Sequence, residues 1–428
     1  MARLLIFCVI TSVLFAAPPD AKEDLRSDSP KTRAKAAEEL GKQHDTESIP
    51  ALRALLKDPE REVRAEAVAA IVSIGTQQSL APLIEATRDS EPSIQILAVD
   101  GLVNFYYPGY VQTGWTTTLK KFGSGIKGRF TETNNQVIDP YLTVRPDVIE
   151  AAGRLATGGS SMDSRALACR ALGILRARSA VPPLIEALQS KDSEVIFESL
   201  RALEKIGDKS SAPQFAFLLH DLSEPVQTAA IDATGQLQNR EAIPTLRDLV
   251  KSGRKAGVRR AALEALSKLP DPASKQLYLS YLGDKDKYLR AAAAEGVGRL
   301  QDTADIDRVK KAFDQDKSES PRLSMAFALV DLGDLSYLPY LLDALNSTFH
   351  RGEARPFLIE LARQPKVLAA LYQPLKNGSN DQKKNLAQVI AISGTAQSLP
   401  YLEDLTHDPN EEVAQEAIRA AKSLKARL

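Results

Sequence analysis

The chain has 428 residues, enough for two or three ordinary domains or for one extended array. Lys plus Arg and Asp plus Glu number 55 each, so the formal net charge is zero; a nucleic-acid-binding chain usually carries a basic excess, and that class is set aside. Aromatics are only 6%, and of the two cysteines Cys8 lies in an N-terminal apolar run, which leaves Cys169 without a disulfide partner and excludes a cysteine-rich metal site.

At the N-terminus Arg3 precedes an apolar run, Leu4 to Ala17, that is too short to span a bilayer and is followed by small residues. Residues 1–17 therefore read as a secretory signal peptide, and the expected protein is exported to the periplasm or cell envelope and soluble. A lipoprotein reading at Cys8 is weak, because Phe7 is too large and the apolar run continues past the cysteine.

From residue 22 onward one pattern repeats. The segment DPEREVRAEAVAAIVSIG, Asp58 to Gly75, returns with variation, and the position of Val63 is occupied in turn by Thr32, Val63, Ile94, Ser164, Val195, Val226, Val258, Leu289, Pro321, Gly352, Gln382 and Val413. These anchors step by 30 to 32 residues, except for the 70 between Ile94 and Ser164. Apolar residues at i, i+4 and i+8 (Val63, Ala67, Ile71) form one stripe of an amphipathic helix. Gly41, Gly75, Gly207 and Gly394 read as its C-terminal caps. A second helix follows, as in AVPPLIEAL and AIPTLRDLV, with Pro182, Pro213 and Pro244 in its first turn. Asp58, Asp192 and Asp408 then stand where they could cap the next anchor helix. One helix pair cannot bury its stripe alone, but stacked pairs can. The expected fold is all-α, a right-handed α-solenoid of about 12 helix pairs.

The long step contains an insertion, residues 106–144, between arrays at 22–105 and 145–428. Aromatics cluster there (Tyr106, Tyr107, Tyr110, Trp115), and Lys120, Lys121, Lys127 and Arg129 give it a modest positive bias. Tyr and Trp recur at interface hot spots, so these eight residues are the candidate partner-binding set; the competing reading is a plug whose aromatics pack onto the helices. The insertion is expected to join the second helix of one repeat to the first helix of the next. GSGIKG at Gly123 to Gly128 matches G-x-G-x-x-G, but no helix opening follows, so a nucleotide site is not expected. Residues 346–377 keep the period and read as a degenerate repeat rather than a second insertion.

The repeats resemble HEAT repeats, specifically the short type of the phycobilisome bilin lyases and many bacterial proteins. The resemblance covers nearly the whole chain after the leader and implies the fold; many functions use that scaffold. An Arg recurs one residue past the anchor (Arg33, Arg64, Arg165, Arg259, Arg290, Arg322). It is read as a set of Arg–Asp struts between stacked turns rather than as an anion ladder. HEAT-repeat hydroxylases bind di-iron through His-Glu pairs on repeated helices, and this chain contains no His-Glu dipeptide. His44, His220 and His407 each precede an Asp and read as turn chemistry, and Cys169 as an inert buried thiol. No catalytic constellation, metal set or cofactor motif is legible. The leading expectation is accordingly a non-enzymatic scaffold that binds a protein or peptide with the concave face, formed by the second helices, and with the 106–144 insertion. The alternative is a bilin-lyase-like or other enzyme that cradles its substrate in the solenoid, marked by acid–base groups with perturbed pKa values in one concave pocket.

Overall fold

A computed structural model of the protein describes residues 21–110, 136–139, 142–253 and 255–428. Among the described residues the regular structure is entirely helical. The chain divides into two units, Met1–Ile126 and Lys127–Leu428. In the first unit, after a helical turn at Ala21–Asp24, come α1 (Pro30–Lys42), α2 (Ile49–Ala54), α3 (Arg61–Ile74), α4 (Leu80–Ala86) and α5 (Pro92–Tyr106). The second unit begins with α6 (Pro146–Gly158), α7 (Met162–Ile174), α8 (Val181–Ala187) and α9 (Ser193–Ile206). A 3-10 segment, Lys209–His220, then stands in for a short helix before α10 (Glu224–Gln236), α11 (Ile243–Ser252), α12 (Ala256–Ser267), α13 (Lys275–Tyr281) and α14 (Lys287–Arg299). There follow α15 (Ile306–Gln315), α16 (Glu319–Asp331), α17 (Leu338–Asn346), α18 (Arg351–Leu361), α19 (Pro365–Asn377), α20 (Asn380–Ser393), α21 (Leu399–Leu405) and α22 (Glu411–Arg427). Each unit is thus a stack of helix pairs, the solenoid architecture the period predicts. The degenerate repeat at 346–377 supplies a full pair, α18 and α19.

The anchor helices are the longer partners except at α18, which is shorter than α19, and in the second unit they lie side by side from α7 through α22, each against the next. Their stripes are dry: Val63, Ala67 and Ile71 have no exposed surface. Burying each such branched side chain contributes on the order of 1.5–3 kcal/mol. Small residues set the spacing. A methyl group on Gly173, Gly235 or Gly298 would stand 2.7 Å from the Cα of Ala202, Ala265 or Ala328 on the next long helix, so only glycine permits these three approaches. Proline occupies the second residue of α8 and of α11 (Pro182, Pro244), where no helical N–H is lost. Pro213 falls inside the 3-10 segment instead.

Turn chemistry differs from expectation in detail. The position twelve past the anchor takes a left-handed backbone, and it is held by Gly75 (φ 61°), Gly207 (φ 74°) and Gly333 (φ 103°) but also by His44, Arg176, Gln238 and Gln301, with φ between 48° and 56°. Gly41 lies buried inside α1, and Gly394 follows α20 with φ −64°, so neither is a left-handed cap. Asp192 does cap α9, accepting from the N–H of Glu194 and Val195. Asp58 and Asp408 sit two residues before the cap position and accept from Glu60 and Asn410, closing the turn that leads into the helix.

The insertion is placed differently from the expectation. In chain order it follows the long helix α5 and precedes α6, which packs as a second helix against α7 and α8. Along the chain it therefore comes after an anchor helix and before a helix of the second kind, the reverse of the expected order, because the pattern opening at Arg145 belongs to a second helix. Its described C-terminal end packs on the second unit: Ile138 is buried and its N–H donates to the Ile174 carbonyl at 2.9 Å.

Candidate functional site

Of the eight residues singled out in the insertion, Trp115, Lys120, Lys121, Lys127 and Arg129 lie outside the described residues, as does GSGIKG. Tyr106 ends α5, is buried, and meets Phe105 edge to face at 5.0 Å. Tyr107 and Tyr110 are half-buried in the turn that follows, where the Tyr110 N–H donates to the Tyr107 carbonyl. The three described tyrosines thus finish a helix and its turn.

Three of the six recurrent arginines form the expected Arg–Asp struts. Arg33 grips Asp58 through both carboxylate oxygens at 2.7 and 2.9 Å, and Arg64–Asp89 and Arg290–Asp316 repeat the bidentate fork. Arg165 and Arg259 donate to the carbonyls of Gly159 and Gly253, and Arg322 lies over the rings of Phe313 and Tyr340. Cys169 is fully buried, and burial pushes its thiol pKa up, so it is inert at neutral pH. Among the described residues no group of three or more His, Cys, Asp or Glu could hold a metal ion.

A polar groove lies elsewhere, on the anchor helices of the second unit. A groove of about 1240 Å³ crosses α10, α12, α14, α16 and α18. The short helices α11, α13, α15 and α17 contribute nothing to its lining. The long helices line it because their last two turns carry the polar residues. Six past the anchor stand Asp232, Glu264 and Glu295, and one turn further come Lys268, Arg299 and Asp331. On a helix, positions four apart share a face, so the acids Glu264 and Glu295 each lie beside a cation, Lys268 and Arg299, and Asp331 continues the second row.

At the floor, the Arg299 guanidinium is only 10% exposed. Its Nη1 donates to Glu295 at 3.1 Å and to the Ser267 hydroxyl at 3.2 Å. Its Nε and Nη2 donate to both oxygens of Glu360 at 2.7 and 2.9 Å. Its face covers the Phe327 ring at 4.8 Å, and Phe327 stacks on Phe357 at 4.7 Å. Burial works against the charge of Arg299, but the hydrogen bonds and charges of Glu360 and Glu295 more than offset it and raise its pKa. Ser324 donates to the other Glu295 oxygen at 3.0 Å, and burial raises the Glu295 pKa. Asp331 accepts from the Gln364 amide at 2.6 Å; burial and the charge of Glu360 push its pKa up to about 6. Beside the groove, burial and the charge of Glu264 push Asp232 up to about 7. Lys268 donates to Glu264 at 3.0 Å. One mouth carries Tyr288, 49% exposed, between Arg260 at 4.7 Å and Lys287 at 4.9 Å from its ring centre. The arrangement is suited to moving a proton: it holds a carboxyl group of raised pKa, Asp331, beside the fixed cation Arg299, in a cavity large enough for a ligand.

The residue after the anchor carries the more regular signal in the sequence, and these groove residues carry a weaker one. The available signal was an acid six past the anchor in three successive repeats, followed by a cation four residues later at Glu264–Lys268 and Glu295–Arg299.

Comparison with known proteins bears on the repeat architecture. The HEAT repeats family model matches residues 19–103, 149–216 and 212–286, more than half of the chain. Deoxyhypusine hydroxylase-B of Oryza sativa subsp. japonica is 27% identical over 233 residues, 50% of this chain and 70% of that protein. Phycocyanobilin lyase subunit alpha of Nostoc sp. (strain PCC 7120) is 26% identical over 208 residues, 46% of this chain and 73% of that protein. The solved complex of CpcE and CpcF of phycocyanin lyase from Nostoc sp. PCC7120 aligns with 21% identity over 61% of this chain and 92% of that chain, with a TM-score of 0.37. The expectation of a non-enzymatic chain is overturned by these findings, since the two curated relatives are enzymes by name. It rested on the absence of a linear catalytic motif, and a site assembled from one residue per repeat leaves no such motif.

Proposed function

We propose that this chain, which belongs to the HEAT-repeat family, is an enzyme that cradles its substrate on the anchor helices of its second unit and works by acid–base chemistry. One observation carries the reading: a groove of about 1240 Å³ is lined by Asp331, whose pKa is pushed up to about 6, together with Glu295, Glu360 and Arg299. A carboxyl group with a pKa near the working pH can give a proton to a substrate atom and recover one from another, which an addition or elimination requires. Arg299, fixed by Glu295 and Ser267, supplies a preorganised positive charge where negative charge develops. The similarity to a lyase subunit supports a lyase-like reaction.

The test is untargeted mass spectrometry of an extract of the native host, incubated with wild-type protein or with Asp331→Asn. The expected result is at least one species consumed by the wild type and spared by the variant, with both proteins equally folded. If wild type and Asp331→Asn give the same profile, the acid–base site is wrong.

A further inference from the structure

We propose that Glu360 holds the place of a substrate carboxylate on Arg299, so that the groove takes a carboxylate-bearing ligand that displaces Glu360 and lies beside Asp331. The inference rests on the acid–base reading of the same groove.

The Arg299 guanidinium presents limited ways to be approached. Its Nη1 is committed to Glu295 and Ser267, and one face is covered by Phe327. The Nε–Nη2 edge remains, and two coplanar N–H donors match the two oxygens of a carboxylate. Glu360 fills that edge with both oxygens.

The two partners differ in freedom. Arg299 is 10% exposed and pinned, whereas Glu360 is 36% exposed and comes from α18, 61 residues along the chain. Glu360 is therefore the member that can leave. Exchange of one carboxylate for another keeps the charge of the groove floor unchanged, so no buried cation is left uncompensated. A neutral or cationic ligand could not replace Glu360 on those terms. The Phe327–Phe357 stack holds α18 against α16 independently of the ion pair, so the groove wall persists when Glu360 swings out. Asp331 senses both Arg299 and Glu360 and lines the same groove, so the incoming carboxylate brings its ligand next to the acid–base group.

The probe is acetate, titrated calorimetrically at constant ionic strength into wild type, Glu360→Ala and Glu353→Ala. In the wild type the tethered Glu360 competes as an intramolecular ligand, so Glu360→Ala should bind acetate about tenfold tighter or more. Glu353→Ala removes a rim carboxylate of the same helix and leaves the Arg299–Glu360 fork intact, so it should match wild type. Equal acetate affinity in wild type and Glu360→Ala, or an equal gain in Glu353→Ala, overturns the carboxylate seat. If that happens while Asp331-dependent turnover persists, the acid–base reading stands and only the carboxylate seat falls. An acetate gain without Asp331-dependent turnover overturns the acid–base reading alone.

Discussion

Arg170 of α7 and Glu198 of α9 meet at 2.5 Å with side chains only 4% and 5% exposed. Each is the other's means of being charged inside the stack. Removing one partner strands the other, which costs more than the pair itself contributes. Arg170→Ala should therefore destabilise the second unit by about 3–5 kcal/mol, and Arg170→Met with Glu198→Leu should recover most of it. Urea denaturation of the three proteins checks this; a single variant as stable as wild type would contradict the buried pair.

Gly235 offers a steric counterpart. A Cβ there would stand 2.7 Å from the Ala265 Cα, which is backbone and cannot swing aside. Gly235→Ala should cost about 1–3 kcal/mol by forcing α10 and α12 apart, although alanine is the better helix former. Gly352 in α18 meets nothing within 4 Å, so Gly352→Ala should be neutral or stabilising. Melting temperatures that rank the two variants the other way would refute the close approach.

The inter-repeat struts make a graded prediction. Asp316 is 4% exposed, accepts from Arg290 at 2.6 and 2.9 Å, and also accepts from the Ser318 N–H at 2.9 Å. Asp316→Ala should cost about 2 kcal/mol. Arg308 is 64% exposed, and Arg308→Ala should be close to neutral. Thermal unfolding at matched salt distinguishes the two.

Asp232 links the site to pH. Its folded pKa, about 7, lies above its ordinary value of 3.8, mainly through burial. A raised acid binds its proton more tightly when folded, so its stabilisation is full below pH 3.8 and is lost as pH rises through about 7. Asp232→Asn stays neutral throughout. The melting temperature of Asp232→Asn relative to wild type should therefore climb between pH 4 and pH 7; a difference independent of pH would show that Asp232 is not held in this state.

The solenoid was legible because the chain states it repeatedly: the apolar stripe and the step of about 31 residues survive in nearly every unit, and α18 and α19 keep the period even where the motif decays. The groove was not legible for a physical reason. Which helix of each pair faces a cavity depends on how the stack packs, not on the pattern within one repeat. Nothing within a single repeat marks Glu264, Glu295 and Asp331 as the residues that line one cavity. The Arg after the anchor, by contrast, was readable as a strut, because its Asp partner recurs 25 or 26 residues downstream in the pairs Arg33–Asp58, Arg64–Asp89 and Arg290–Asp316.

The glycine contacts occur at α7–α9, α10–α12 and α14–α16, and skip the joints between them. The polar rows span skipped joints: Glu264 and Lys268 of α12 face Glu295 of α14, while Asp331 of α16 faces Glu360 of α18. Within the second unit the joints are therefore not equivalent. Where glycine sets the approach no larger residue fits, whereas at α12–α14 and α16–α18 charged side chains line the groove itself.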